Sequence, residues 1–161
     1  MTGLVLNLQR PDAEVFAPFG ELVSPPDGPG KRRFFSEALS QRHRTSEPVL
    51  HVNHVLPKTL PIQVTQIERH PHATQCFFPL EVSRYVVMVM PSDAAGRPCL
   101  NEAFALLMPG SMGVIFNPGV WHLGATVLDS AGHFVVLMWR GGSLQDDDFC
   151  AIAPLTLIDS T

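Results

Sequence analysis

The chain has 161 residues, 45% of them hydrophobic and only 16% charged, which is enough to bury one sizeable core and excludes a disordered chain. A formal charge of −4 lacks the basic face that a phosphate backbone requires, so nucleic acid is not expected as the main partner, whereas a small anionic substrate needs only one or two local cations. Fifteen prolines and twelve glycines favour many short segments joined by turns over long helices.

Residues 4–8 alternate as a short strand should. In Pro11-Asp12-Ala13-Glu14-Val15-Phe16, a proline and acids stand where the free N–H groups of a helix start favour them, so a short helix is expected, ending near Pro18 and Gly20. Residues 24–30 form a loop by composition. Lys31-Arg32-Arg33 and Arg42-His43-Arg44 are the basic clusters, and solvated surface is the plain expectation for both. Residues 49–56 and 61–68 are β-rich runs around a proline-flanked turn; in the second, the parities are mixed, which predicts a strand covered on both faces. Further strands are expected at 75–78, 85–90, 104–108, 114–116 and 133–139, with Gly110-Ser111-Met112-Gly113 as a tight connection. Asp146-Asp147-Asp148 reads as a solvated loop, and residues 151–158 as an edge strand closing the fold. No run sustains a 3.6-residue period or approaches the length of a membrane span, so one mainly β domain over residues 1–161, a sandwich or barrel, is predicted.

Cys76, Cys99 and Cys150 are odd in number and widely spaced, with no C-x-x-C pair, which predicts reduced thiols in a cytoplasmic protein. Cys76 sits in an apolar run and is expected to be a buried thiol and not a nucleophile. Gly110 to Gly113 lies between strands and so is no nucleophile elbow. No glycine-rich phosphate or dinucleotide loop is present, so no nucleotide cofactor is expected.

Chemistry concentrates in Glu68-Arg69-His70-Pro71-His72-Ala73-Thr74-Gln75-Cys76-Phe77-Phe78-Pro79-Leu80. Read as extended chain, it puts Glu68, His70 and His72 on one face and Arg69 and Pro71 on the other. Pro71 has no N–H to donate, so the segment should be a strand end, an edge or a bulge, places that re-aim side chains into sites. Glu68 is a general base, or else it orients His70. Trp121 either walls a pocket or packs in the core. Arg140, at the end of an apolar strand, suits a carboxylate bidentately or lies free on the surface.

These residues carry a resemblance. The stretch from Glu68 to Leu80 resembles the Glu-Arg-His-Pro-x-x-x-Gln-x-Phe-x-Pro-[Leu/Met] signature of the ureidoglycolate lyases, long called hydrolases. Gly119-Val120-Trp121-His122 and Arg140-Gly141-Gly142-Ser143 resemble two further stretches of that family, in matching order from Phe16-Ala17-Pro18-Phe19-Gly20 onwards. The resemblance implies a cupin-like double-stranded β-helix, or jelly-roll barrel, with a short N-terminal helix. It also implies a homodimer that splits ureidoglycolate into glyoxylate and urea in allantoin and purine nitrogen catabolism. Glu68, His70, His122 and Arg140 would be catalytic, and Arg69, Gln75 and Trp121 would touch the small carboxylate substrate. His70-x-His72, Gln75 and His122 resemble the two metal motifs of cupins, which implies one divalent ion, nickel, manganese or zinc; the other reading has His70 and His122 contact substrate directly. The sequence departs from the family pattern at His54, Cys99, Leu123, Gly124, His133 and Trp139, positions expected around the pocket. Two alternatives follow: a metal-dependent cupin enzyme acting on another small hydroxy or keto acid, and a non-catalytic cupin that binds such an acid.

Overall fold

A computed structural model describes residues 3–141 and 145–160. Twelve strands are assigned among these: β1 (Leu4–Asn7), β2 (Gly20–Val23), β3 (Glu47–Val55), β4 (Ile62–Arg69), β5 (Gln75–Glu81), β6 (Arg84–Met90), β7 (Phe104–Pro109), β8 (Gly113–Phe116), β9 (Trp121–His122), β10 (Thr126–Leu128), β11 (Gly132–Arg140) and β12 (Asp148–Ile158). Two four-residue helices join them, α1 (Ala13–Phe16) and α2 (Ser36–Leu39). Asp12 begins α1, its Oδ1 accepting the N–H groups of Glu14 and Val15, so the aspartate and not Pro11 is the capping residue. Helix α2, which the sequence did not suggest, buries Ala38 against Cys76 and Ile115 on the outer side of a sheet.

The strands form two sheets. One runs β2-β8-β5-β11-β3; the other runs β1-β12-β4-β9-β6-β10, with β7 on the free side of β6. From β4 onward the chain passes back and forth between the sheets, as the winding of a jelly roll requires. The second sheet curls until Gln9, just past β1, bridges Leu106 of β7. The fold is therefore the expected cupin-like double-stranded β-helix. Where β2 begins its pairing with β8, Gly20 has a φ of 151°, and a Cβ there would lie 1.8 Å from the carbonyl oxygen of Ile115; only glycine permits this approach.

Strand β6 divides the interior in two. Val86, Met88 and Met90 face a core built with Leu8, Ile62, Val64, Ile67, Leu155 and Leu157, while Tyr85, Val87 and Val89 face a second core with Phe77, Phe116, Phe134 and Val136. This near-continuous apolar strand is covered on both faces, unlike β4, for which the sequence predicts that state. In β4, Ile62, Val64 and Ile67 are buried while Gln63, Thr65 and Gln66 are exposed. The inward parity thus changes after Val64, beside a register slip in β12 between Ala151 and Leu155. The change leaves Ile67 in the first core and turns Glu68 to the opposite side. Strand β12 is also no edge: it pairs with β4 on one side and with β1, in parallel, on the other.

Candidate active site

Glu68, the last but one residue of β4, pairs across the sheet with His122 of β9. Its Oε1 lies 3.4 Å from His122 Nε2. Gln75, at the start of β5 in the facing sheet, brings Oε1 to 2.9 Å from the same nitrogen. His122 is 1% exposed and its ring stacks on Phe116, centroids 4.1 Å apart and planes 10° from parallel. His122 Nδ1 lies 3.0 Å from the Val120 carbonyl oxygen, which can only accept, so Nδ1 carries the hydrogen. The neutral ring would then point a lone pair at two oxygens. Either Gln75 turns its NH2 to the ring or a positive charge, a proton or a metal ion, sits among these atoms.

His70 follows the end of β4. Its Nδ1 is 2.6 Å from the Asp146 carbonyl oxygen and 3.3 Å from Asp147 Oδ1, so Nδ1 is again the protonated nitrogen. His70 Nε2 is buried and has no hydrogen-bond partner among the described residues. An orphaned buried nitrogen costs about 1–3 kcal/mol, a state that persists where function requires it. The ligand atoms of Glu68, His70 and His122 lie within 4.8 Å of one another, and no other such group of histidine, cysteine and acidic residues occurs among the described residues. Two imidazoles and a carboxylate with open positions suit a divalent transition metal, so the residues fit one. Burial pushes the Glu68 carboxyl up, but its hydrogen bond with His122 and the fields of His122 and His70 outweigh that and hold it below its ordinary value.

Glu68 and His70 line an open cavity of about 480 Å3, together with Gln75, Phe77, Arg140 and Asp147. Arg140 reaches it because β11 alternates, Phe134, Val136 and Met138 facing inward with it; its Nη2 lies 3.3 Å from Asp147 Oδ2. Gly142 and Ser143, part of the family-like stretch after Arg140, lie outside the described residues.

Three residues expected at the site are elsewhere. The chain bends at residues 71–73, so strand alternation stops at Arg69 and His72 is exposed, outside the group formed by Glu68, His70 and His122; its backbone N–H is held by Asp146 Oδ1. Arg69 donates to Asp148 and to the Gly96 carbonyl oxygen and lies 4.5 Å over the Trp121 ring. Trp121 is itself buried in the first core, and neither lines the cavity. Glu68 contacts His122, not His70, whose orientation comes from the first two members of the Asp146-Asp147-Asp148 run. That run is not a solvated loop: its members engage His72, His70 and Arg69 in turn, and burial raises the Asp146 carboxyl above its ordinary value. No local pattern in the sequence marks these pairings, which span more than seventy residues. Of the six positions that depart from the family pattern, only Gly124 lines the cavity. His54, His133 and Trp139 project from the outer side of their sheet, opposite the inward residues of β11.

Cys76 is buried and its thiol is pushed up to about 12 by that burial, which removes it as a nucleophile at neutral pH. Iodoacetamide at pH 8 should leave Cys76 unmodified in the folded protein and alkylate it after unfolding, as read by peptide mass mapping; rapid native labelling would show that the thiol is accessible. No described helix is long and apolar enough to cross a membrane.

The family model described as ureidoglycolate lyase matches residues 4–156. A ureidoglycolate lyase of Burkholderia cepacia is 35% identical over 153 residues, covering 89% of this chain and 84% of that protein. One from Burkholderia mallei (strain NCTC 10229) is 31% identical, covering 85% and 83%, and one from Schizosaccharomyces pombe is 26% identical, covering 83% and 84%. A solved RmlC from Streptococcus suis is similar at 10% identity with a TM-score of 0.45, across 61% of this chain and 46% of that chain, too slight a likeness to bear on fold or site. By family model over residues 4–156, and by sequence over 89% of its length, this chain belongs to the ureidoglycolate lyase family.

Proposed function

We propose that the protein cleaves ureidoglycolate to glyoxylate and urea, as the names of its relatives suggest, and that the cavity beside Glu68 and His70 is where it does so. The observation that carries this is one acidic and one basic group at a single cavity, Glu68 held as carboxylate and His70 with an unpartnered Nε2, with the Arg140 guanidinium at the rim. The substrate is a carbinolamine: its hydroxyl must lose a proton as the carbonyl forms, and its departing urea nitrogen must gain one. The Glu68 carboxylate accepts the hydroxyl proton. His70 gives the departing nitrogen its hydrogen from Nε2 as the C–N bond breaks, with Nδ1 held by the Asp146 carbonyl oxygen. His122 holds Glu68, and Gln75 holds His122. Arg140 pairs with the substrate carboxylate, fixing which end of the molecule meets the proton donor.

The same Glu68, His70 and His122 atoms would hold a divalent ion, nickel, manganese or zinc. When bound, it supplies Lewis-acid stabilisation of the developing alkoxide. Urea and glyoxylate release from racemic ureidoglycolate, before and after chelation and with each metal restored, tests both readings. Turnover of about 1–1,000 per second is expected. Turnover that survives chelation assigns the proton transfers to the side chains alone, and no urea release under any condition would overturn the proposal. A homodimer is part of the same reading. It is supported by the outer face of β3, an end strand of its sheet, where Leu50 is 68% and Val52 58% exposed. Three free cysteines support a reducing, cytoplasmic setting.

A further inference from the structure

Asp147 stands between two groups that the proposed reaction uses separately. One of its carboxylate oxygens, Oδ1, is 3.3 Å from His70 Nδ1, and the other, Oδ2, is 3.3 Å from Arg140 Nη2. Its neighbours are tied down on both sides. Asp146 takes the His72 N–H on its carboxylate and the His70 Nδ1 hydrogen on its carbonyl oxygen, while Asp148 is paired with Arg69 at 2.9 Å and begins β12. A long, rotamer-rich arginine, 58% exposed in its side chain, is thus anchored to a carboxylate whose own backbone is held at both flanks. Asp147 meets the guanidinium at Nη2, and a fork of five N–H donors has others to offer a second carboxylate.

We infer that Asp147 is a positioning residue that works through both partners at once: through Oδ2 it holds Arg140 at the cavity rim to receive the substrate carboxylate, and through Oδ1 it sets the His70 ring. The inference rests on the lyase reading for its substrate, not for its geometry. A carboxylate can accept on both sides; a carboxamide cannot. In Asp147→Asn, with the amide oxygen turned to Arg140, the side that faces His70 carries an uncharged NH2 in place of an accepting oxygen, so Nδ1–H keeps only its hydrogen bond to the Asp146 carbonyl oxygen. Substitution therefore separates the two tasks.

In Asp147→Ala, KM should rise about tenfold, the worth of one charge-assisted hydrogen bond, and kcat should fall about tenfold or more, as for loss of an outer partner of an active-site histidine. Asp147→Asn should bring KM back to within about twofold of the parent while kcat stays low, a split that simple loss of folding does not produce. Adding Asp147→Ala to Arg140→Ala should raise KM by less than about twofold further, since the group through which it acts is gone. Melting temperatures check that each variant is folded.

The inference is overturned if Asp147→Ala leaves both constants unchanged, if its effect on KM multiplies with that of Arg140→Ala, or if either Asp147 variant lowers KM, which would make the aspartate a repellent of the anionic substrate. Should the parent protein release no urea, the lyase reading fails on its own, and calorimetric titration with oxalate replaces KM. Its affinity should fall in Asp147→Ala, return in Asp147→Asn, and show the same non-additivity with Arg140→Ala; equal affinities across the set would then refute the inference.

Discussion

His70→Ala is expected to reduce urea release by at least about a thousandfold, within the range for removal of a group that moves a proton in the transition state together with the charge stabilisation it provides. The side chain sits beyond the end of β4, before the bend at residues 71–73, and its one hydrogen bond is to the carbonyl oxygen of Asp146. Losing that bond costs the fold about 1–3 kcal/mol, so the variant should melt cooperatively a few degrees below the parent while its cavity remains. Circular dichroism melting beside a urea assay makes the check. Near-parental turnover in the folded variant would remove His70 from the chemistry, and with it the reading of the cavity.

Glu68→Gln should lower kcat by about a hundredfold to ten-thousandfold, the usual worth of a general base, with a much smaller change in KM. Glutamine keeps the shape of the side chain and a partner for His122, so packing is preserved. It removes the negative charge, and with it the capacity to accept the hydroxyl proton at neutral pH. His122 would lose the anion 3.4 Å from its Nε2, and a bound divalent ion would lose one of three ligands. Metal content of the purified variant distinguishes those routes: a fall in kcat with unchanged metal places the loss in proton transfer, and a parallel fall in both places it in the ion. Full retention of kcat would show that Glu68 only supports His122.

Much of this site was legible in the sequence because its residues lie in short motifs. Glu68, His70 and Gln75 come from one stretch and His122 from another, and the structure brings the four together as two facing sheets would. The inward aim of Arg140 follows from simple alternation along β11. What could not be read has physical causes. Alternation carried through Pro71 would set His72 beside His70, but the chain turns there and His72 leaves that face. Arg69 and Trp121 stand beside site residues in sequence, yet both belong to the opposite side, Arg69 lying across the indole. Three consecutive aspartates suggest a solvated loop until the strand that follows them pairs with β4 and carries each one to a partner near residue 70. Helix α2, at four residues, is too short to display a period. The parity change in β4 depends on a slip in a strand some ninety residues later, which no local pattern records.

That β6 serves two interiors at once bears on how such a scaffold diversifies. From Tyr85 to Met90 each of its side chains answers to one packed compartment or the other, so mutational drift along it has no permissive direction, and an altered volume on either side presses on the wall that the reaction centre shares. The cavity mouth is less constrained, since Gly124 and Phe149 meet solvent there beside Arg140, the anchor for the carboxylate. Inheritance of a new acid specificity would therefore be written in those few rim positions, with the partition behind them left alone.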